Sequence, residues 1–386
     1  MSDRKNPADK VDNPLCRQVF SLPKLITSQY EDLEPKVRSV LSFQEIFNVQ
    51  RLVLTGCGDS YGACMAVKHI TEMLTGIPTE VVTAIDLGRY YSEGHLGVDC
   101  QNPVVIAVSN SGSVARVTEA VKRARKHGCF VLGITGNKES PLGQNADKQL
   151  KLDIPPFEAA PGTRSYMVSV MALLLLAVRI GEVKGMYTMD QAMDYRYDMR
   201  DQGKLLGEYL PEMAQMCLDF AQAWKDFPVF DFIGAGFDEA AAWFGHAKMV
   251  EAVGKAAMHI NAEEWFHLNC FVKHPEQIGT VIVANTTNPG LSRTKDVIRY
   301  AKEMGRPLMV ISDGTESELG TEKDKLVRVP RPKYPMNMPL TQFVPLCLLA
   351  GYMSRLLDEP YGRGCKGPWQ FCENGYCVRE NEIIVK

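Results

Sequence analysis

Residues 51–60 read RLVLTGCGDS, an apolar run that ends in a turn of small residues. The run at 51–55 has the length and aliphatic content of a buried β-strand, and a helical pattern at 61–74 follows the turn. Further short apolar runs of this kind lie at residues 80–83, 103–109, 129–135 and 149–154. A helical stretch at 114–127 ends at Gly128, a typical signal for the C-terminus of a helix. Strands that alternate with helices in this way predict a parallel sheet with helices on both faces.

The same pattern begins again in the second half of the chain. Residues 229–233, VFDFI, run into a second turn of small residues, and strand-like runs follow at 280–284 and 308–312. The segment SGSVARVTEAVKRARKHGCFVLGIT, which starts at Ser111, aligns without a gap with NPGLSRTKDVIRYAKEMGRPLMVIS, which starts 177 positions later. A match of this length over turn, helix, glycine and strand indicates a tandem duplication. The predicted fold class is therefore α/β, with two tandem half-domains, each a parallel sheet flanked by helices on both faces.

Five segments follow from these boundaries. They are a helical lead-in at 1–45, a first half-domain at 46–190, a helical connector at 191–226, a second half-domain at 227–365 and a C-terminal tail at 366–386. After the second small-residue turn, at 234–238, one long helical stretch is expected before the next strand. The apolar run at 167–178 is too short to span a bilayer and predicts a buried helix.

The bulk composition excludes several classes of function. Among the 386 residues 45% are hydrophobic and 23% charged, as in ordinary soluble globular proteins. A net charge of −3 gives no overall field that would attract nucleic acid or an anionic membrane. The polar start of the chain does not resemble a signal peptide. No nucleic-acid or membrane partner is therefore predicted.

The cysteines favour a reducing compartment. Their number, eleven, is odd, and they are scattered through the chain, which fits reduced thiols in the cytoplasm better than a disulfide framework. Cys365, Cys372 and Cys377 cluster near the C-terminus, but no CxxC pair or spaced histidine accompanies them. We predict a cytoplasmic protein without a metal site.

Small hydroxyl residues follow two of the predicted strands in the first half. The two turns are Gly58-Asp59-Ser60 and Ser109-Asn110-Ser111-Gly112-Ser113. In an open parallel sheet, ligands bind beyond the carboxyl ends of the strands, where the N–H groups of helix N-termini attract anions. Serine and glycine also serve simply as helix caps and turn residues, but two such turns in one half-domain favour a phosphate site. The matching stretch of the second half, 286–290, has fewer hydroxyls, which favours a single site.

A dinucleotide site is the competing interpretation of the first turn. The pattern Gly56-x-Gly58-x-x-x-Gly62 follows a strand, and Asp86 ends the next strand at a distance suited to a ribose hydroxyl. The bulky Asp59-Ser60-Tyr61, however, crowds the place of the pyrophosphate, and a dinucleotide leaves the serine-rich second turn unexplained.

These turns, in this order, resemble those of the sugar isomerase (SIS) domain family. The resemblance is closest to the isomerase half of glucosamine-6-phosphate synthase and to fructosamine-6-phosphate deglycases, and it covers nearly all of the chain from residue 45. It implies that Gly58, Asp59, Ser60, Ser109, Asn110, Ser111 and Ser113 hold a sugar phosphate. Val114 stands where the family usually has threonine. The loop Pro161-Gly162-Thr163-Arg164 resembles a third ligand loop, which implies that Thr163 and Arg164 bind substrate.

The resemblance also implies a catalytic set in the stretch MVEAVGKAAMHINAEEWFHLN. Glu251 precedes His267 by sixteen positions and Glu264 precedes it by three, which are the spacings of the family. Glu251 would move the proton between the two sugar carbons, His267 would open the ring, and Glu264 would orient the site or contact the sugar. A carboxylate and a histidine are residue types suited to these steps near neutral pH. The spacing of these three residues, taken alone, would also fit charged residues on the protein surface without a catalytic role.

Two departures from the family bear on specificity. The usual Gly-Glu-x-x-His-Gly-Pro reads here EEWFHLN, and Asn381 stands at the approximate position of a C-terminal lysine in the synthase. No glutaminase segment precedes the first repeat, so we expect a deglycase that releases glucose 6-phosphate and an amine from a fructosamine 6-phosphate. Simple aldose–ketose isomerisation and non-catalytic phosphosugar binding by a regulatory protein are the alternatives. The resemblance further implies a homodimer with a shared active site, and no cofactor.

Overall fold

The computed structural model describes residues 11–97, 103–360 and 378–386. The described chain divides into two compact units. The first unit comprises residues 26–97, 103–156, 164–200 and 378–386, and the second comprises 11–25, 157–163 and 201–360. The predicted cluster of Cys365, Cys372 and Cys377 lies outside the described residues.

The first unit is built on a parallel sheet of five strands in the order β2-β1-β3-β4-β5. The strands are β1 (Leu52–Gly56), β2 (Thr79–Thr83), β3 (Val104–Val108), β4 (Phe130–Thr135) and β5 (Lys148–Lys151). The first eight helices of the chain are α1 (Pro14–Val40), α2 (Phe43–Asn48), α3 (Asp59–Thr75), α4 (Glu93–Leu96), α5 (Ala115–Lys126), α6 (Pro141–Asn145), α7 (Arg164–Val183) and α8 (Met189–Trp224). The sheet and the helix α5 confirm the predicted alternation.

Both faces of this sheet are covered, which explains why its strands read as continuous apolar runs. On one face Val53, Val105 and Val131 pack with α5 in a single buried cluster. Helix α3 packs against α7. Helix α7 is long and apolar enough to cross a membrane by length and composition, but 83% of its most apolar window is buried inside the protein. The predicted buried helix at 167–178 is confirmed.

The second unit repeats this topology, with its five parallel strands in the order β7-β6-β8-β9-β10. Its strands are β6 (Val229–Gly234), β7 (Ala256–Asn261), β8 (Ile278–Val283), β9 (Leu308–Ser312) and β10 (Leu326–Arg328). Its helices include α9 (Phe237–Lys248), α10 (Leu291–Glu303), α11 (Glu316–Leu319) and α12 (Val344–Leu356). Gly128 and Gly305, which the sequence alignment superimposes, both have positive φ, +82° and +74°, and end α5 and α10. Glycine is the residue that adopts this left-handed conformation without strain.

A helical stretch follows residue 238 as predicted, but strand β7 was not predicted from the sequence. Helix α9 ends at Lys248, a π-helical turn covers Met249–Val253, and Gly254 turns the chain into β7. Ala256, Ala257 and Met258 favour a helix by intrinsic propensity. Parallel pairing of these residues with β6 outweighs that preference.

Candidate functional site

In the first unit the two predicted phosphate-binding turns lie side by side. They follow β1 and β3, which pair in parallel with Gly56 opposite Val108. The carboxyl ends of both strands therefore reach the same edge of the sheet, where ligands bind in open α/β sheets.

The turn after β1 leads directly into α3. Gly58 is the N-cap residue with φ +55°, and Asp59 is the first residue of the helix. A Cβ at Gly56 would lie 2.9 Å from the carbonyl carbon of Ser60, so this turn requires glycine. Ser60 is half-buried, and its hydroxyl forms no hydrogen bond to any residue that the structure describes. It can therefore donate to a ligand.

Hydrogen bonds and close packing hold the turn after β3 in one conformation. The buried Ser109 hydroxyl accepts a hydrogen bond from Gly112 N–H at 3.1 Å. Gly112 has φ +67°, and a Cβ there would lie 1.9 Å from Ser140 Oγ. The Ser113 hydroxyl donates to Ser111 Oγ at 3.1 Å. The turn is thus preorganised by its own packing.

This turn offers main-chain donors to an anion. Among the described residues, the N–H groups of Asn110 and Ser111 have no acceptor, and both residues are exposed. Val114 is the N-cap of α5 and makes no side-chain cap bond, so the missing threonine hydroxyl is not replaced at that position. Free N–H groups beside a helix N-terminus form an anion-binding concavity.

The C-terminal tail lies against the first turn of α5. Val378 O accepts a hydrogen bond from Ala115 N–H at 2.9 Å. Asn381 Oδ1 accepts bonds from Arg116 Nε and Nη2 at 3.1 and 2.6 Å. Asn381, at the approximate position where the resemblance implies a lysine, therefore contacts a cation, Arg116, that was not predicted from the sequence.

Glu119 fastens the tail further along α5. Its fully buried carboxylate accepts hydrogen bonds from Arg89, Arg116 and the N–H of Ile384. Burial opposes the charged form, but these donors outweigh it and lower the pKa of Glu119. The ionised carboxylate thus ties the tail to the helix that follows the phosphate turn.

Thr163 and Arg164, the predicted third ligand loop, are both buried. In the second unit the Thr163 hydroxyl contacts Pro161 O and, at 3.6 Å, Cys347 Sγ. In the first unit Arg164 opens α7 and donates to Pro155 O at 2.9 Å. Burial lowers the pKa of Arg164. Substrate binding by this pair stays a prediction.

In the second unit Glu251 lies in the π-helical turn that extends α9. Its side chain is 45% exposed, and Oε2 lies 2.5 Å from Nζ of Lys248, whose side chain is fully buried. Lys248 also lies over the Phe244 ring, 4.8 Å from the ring centre. π-Helical turns occur often at functional sites. The i,i+3 spacing of Lys248 and Glu251 is visible in the sequence, but the sequence analysis did not use it.

His267 lies on an exposed loop after β7, with 63% of its side chain exposed. Its Nε2 is 3.4 Å from Oε1 of Glu263, not of Glu264. Arg293 also pairs with Glu263 and lowers the pKa of that carboxyl. Glu264 opens the short 3₁₀ turn Glu264–Phe266 and is exposed. The sequence analysis missed Glu263, which stands four residues before His267 at helical contact spacing.

A buried polar cluster holds this loop. Asp231 on β6 accepts hydrogen bonds from Trp265 Nε1 at 3.1 Å, Asn269 Nδ2 at 2.8 Å and Arg306 Nη1 at 2.8 Å. Arg306 also donates to Asn269 O. Trp265 and Asn269 stand on either side of His267 in the sequence, so the cluster fixes both ends of the segment that carries it.

His246 and His259 form a second pair near Glu251, with ring centres 5.1 Å apart. Both are half-buried, and burial lowers the pKa of each. The negative charge of Glu251 raises the pKa of His246, but less than burial lowers it. The pair is therefore mostly neutral at pH 7.

Comparison with known proteins gives a family for part of the chain. Residues 45–179 match the family model of the SIS domain. Isomerizing glutamine–fructose-6-phosphate aminotransferase of Thermus thermophilus is 26% identical over 316 residues, which are 81% of this chain and 51% of that protein. The chain thus spans about half the length of the curated relatives it matches.

Solved structures share the fold. The C-terminal domain of glucosamine-fructose-6-phosphate aminotransferase from Francisella tularensis has a TM-score of 0.79 at 17% identity and covers 93% of this chain and 100% of its own. Tagatose-6-phosphate ketose/aldose isomerase from Escherichia coli has a TM-score of 0.72 at 15% identity and covers 98% of both chains. Both unit topologies therefore belong to a known α/β architecture.

Proposed function

We propose that the protein is an enzyme that acts on a phosphorylated sugar, because residues 45–179 match the family model of the SIS domain. The observation that carries the proposal is that, among the described residues, the N–H groups of Asn110 and Ser111 and the hydroxyl of Ser60 have no hydrogen-bond partner, on turns that follow two neighbouring strands. Such donors suit a phosphate monoester, because they stabilise its charge without a lysine. The names of the relatives include fructose 6-phosphate, which supports this substrate class.

The proposed chemistry is proton transfer between C1 and C2. Glu251 takes a proton from C1 of the open-chain ketoamine while the C2 oxygen gains a proton, which gives an enolamine. Glu251 then gives its proton to C2 while the nitrogen loses its proton. The product is an imine of glucose 6-phosphate, and water splits it into glucose 6-phosphate and the free amine. The buried Lys248 holds the carboxylate in one orientation. His267, with its exposed ring, opens the cyclic sugar.

A deglycase is the finer assignment that we favour. The residue after His267 is Leu268 where the family has glycine, and this residue is 62% exposed. Phe271 on the same loop is 76% exposed. These apolar side chains can contact the substituent on the amine, which a simple sugar phosphate lacks. The cytoplasmic location and the shared site of a homodimer are part of the same proposal.

Aldose–ketose isomerisation is the second candidate. The same proton transfer with oxygen in place of nitrogen at C1 interconverts a ketose and an aldose phosphate. The word "isomerizing" in the relatives' names supports it.

The test is release of glucose 6-phosphate from fructoselysine 6-phosphate and related fructosamine phosphates. We expect release by the wild type and at least a hundredfold loss in Glu251→Gln, because general base catalysis contributes roughly 10²–10⁴-fold. Glu303→Gln, which changes an exposed glutamate on α10, is the matched control and should keep wild-type activity.

The remaining outcomes separate the alternatives. No release, together with exchange of a C1 proton of fructose 6-phosphate or of the C2 proton of glucose 6-phosphate with deuterated solvent, would identify an isomerase. Neither release nor exchange, with phosphosugar binding retained in calorimetry, would identify a non-catalytic binding protein. Absence of phosphosugar binding would contradict the proposal altogether.

A further inference from the structure

The second unit contains a counterpart of the serine-rich turn, and the register of the preceding strand shows which of its first residues correspond. The preceding strands pair in the same register with their neighbours. The first residue of each turn then donates its N–H to the neighbouring strand, Ser109 to Ile134 O and Ala284 to Ile311 O. By this strand register Asn110 corresponds to Asn285 and Ser111 to Thr286, an offset of 175 positions. The ungapped sequence alignment, which pairs Ser111 with Asn288 at an offset of 177, therefore does not hold within the turn, although it holds at Gly128 and Gly305 and in the strands that follow.

The turns before α3 and α9 also correspond. Gly58 and Gly236 have φ values of +55° and +52°, and each is the N-cap of its helix. The N–H groups of Ser60 and Asp238, two residues later, each donate to the carbonyl three residues before. Asp238 thus stands where the first unit has Ser60.

The Asp238 carboxylate is fully buried and bonded to the second copy of the turn. It accepts Asn285 N–H at 3.0 Å, Asn285 Nδ2 at 2.6 Å and Asn288 Nδ2 at 2.8 Å. The N–H of Asn285 is the counterpart of the free N–H of Asn110. An internal carboxylate therefore takes a donor that the first unit leaves open.

The carboxylate of Asp313 accepts the next N–H group, that of Thr286. Asp313 follows β9 at the position where Gly136 follows β4. It accepts Thr286 N–H at 2.7 Å and the Thr286 hydroxyl at 2.9 Å. Thr286 N–H is the counterpart of the free N–H of Ser111. Gly136 has no side chain that could fill this place in the first unit.

We infer that Asp238 and Asp313 are built-in anions that occupy the second turn, so that a chain binds one phosphate monoester, through Asn110 and Ser111 of the first turn. The inference rests on the proposed function for the first turn. It adds that position 136 decides whether the turn is open, because a carboxylate there would compete with phosphate for Ser111 N–H.

The first experiment transfers the second unit's carboxylate to the first turn. Gly136→Asp and Gly136→Asn add the same Cβ, which meets Asn110 O and Oδ1 at 3.0 Å, so their comparison isolates the charge. Binding of inorganic phosphate is measured by equilibrium dialysis at constant ionic strength. We expect Gly136→Asp to bind at least tenfold more weakly than Gly136→Asn. Equal affinities of the two variants would overturn the inference.

The second experiment opens the second turn. The double variant Asp238→Ser, Asp313→Gly copies the residues of the first unit, and we expect two phosphates per chain instead of one. The comparison is made at pH 8, because burial raises the pKa of Asp238 to about 7. A folded double variant that still binds one phosphate would contradict the inference, and if it fails to fold, the Gly136 pair decides.

The outcomes also distinguish this inference from the function on which it rests. A wild-type protein that binds no phosphate and no phosphosugar would contradict the proposed function. Wild-type phosphate binding combined with equal affinities in Gly136→Asp and Gly136→Asn would contradict only the role of the carboxylates.

Discussion

The ammonium group of Lys248 lies 2.5 Å from the carboxylate of Glu251, and only the carboxylate reaches solvent. The lysine is the last residue of α9, and the glutamate lies in the π-helical turn that follows. A buried cation with one fixed position limits the orientations of its partner. The buried Lys248 therefore orients the carboxylate of Glu251, the proposed base.

Lys248→Met should separate orientation of Glu251 from binding. The variant removes the buried charge, and the Glu251 carboxylate that remains is 45% exposed and can be solvated by water, so we expect a folded protein. Its kcat should fall at least tenfold, because the carboxylate loses its fixed orientation, while the Kd for inorganic phosphate stays within about twofold. Steady-state kinetics on the substrate that the wild type turns over, with thermal unfolding beside it, make the test. An unchanged kcat in the folded variant would rule out the orienting role.

Gly112→Ala should disrupt the phosphate turn beyond ordinary backbone strain. The new Cβ would lie 1.9 Å from Ser140 Oγ, and the residue has φ +67°, which also strains an alanine. Gly185→Ala is the matched control, because Gly185 has φ +72° but no atom within 4 Å of its Cβ position. Both variants carry about 1 kcal/mol of left-handed strain. Gly112→Ala should lose a further ~2 kcal/mol of unfolding free energy and its phosphate binding, measured by urea denaturation and equilibrium dialysis. Equal losses in the two variants would show that the turn tolerates the side chain.

Much of the fold could be predicted because parallel strands buried on both faces leave a direct signal in the sequence. The strands β1 and β9 are buried throughout and mostly aliphatic in sequence, and Gly128 and Gly305 have positive φ at the ends of α5 and α10. Strand β7 left no such signal. It lies at the edge of its sheet, is half-buried and contains helix-forming alanines, so only its pairing with β6 defines it.

The candidate site divides in the same way. The two phosphate turns could be located because topology places the carboxyl ends of neighbouring strands together. The buried residues that hold the site in place could not be predicted, because their role depends on contacts that only the folded chain makes. Lys248 is an ordinary surface lysine by sequence, and Asp231 and Arg306 lie 75 positions apart without any motif that connects them.

Glu119 should control how firmly the tail is held. Its pKa is lower in the folded than in the unfolded protein, so its bonds stabilise the tail above the unfolded value near 4.3 and are lost as the pH falls through the folded value. We expect Glu119→Gln to accelerate hydrogen exchange at Ile384 N–H at pH 7. The wild type should show a similar loss of protection only below about pH 4, after correction for intrinsic exchange. Glu93→Gln, which changes an exposed glutamate on α4, should exchange like the wild type. Equal protection in all three proteins at pH 7 would exclude this role of Glu119.

Asp231 and Arg306 form a fully buried ion pair, with Oδ2 and Nη1 2.8 Å apart, that also anchors Trp265 and Asn269 beside His267. Removing either charge alone leaves the other buried without an opposite charge, so Asp231→Leu and Arg306→Met should each cost about 3–5 kcal/mol of unfolding free energy. The double variant should recover most of this loss, measured as a double-mutant cycle by urea denaturation with tryptophan fluorescence. Its kcat should nevertheless stay below that of the wild type, because the segment that carries His267 has lost its anchor. A double variant with restored stability and wild-type kcat would show that the cluster stabilises the fold without positioning the histidine.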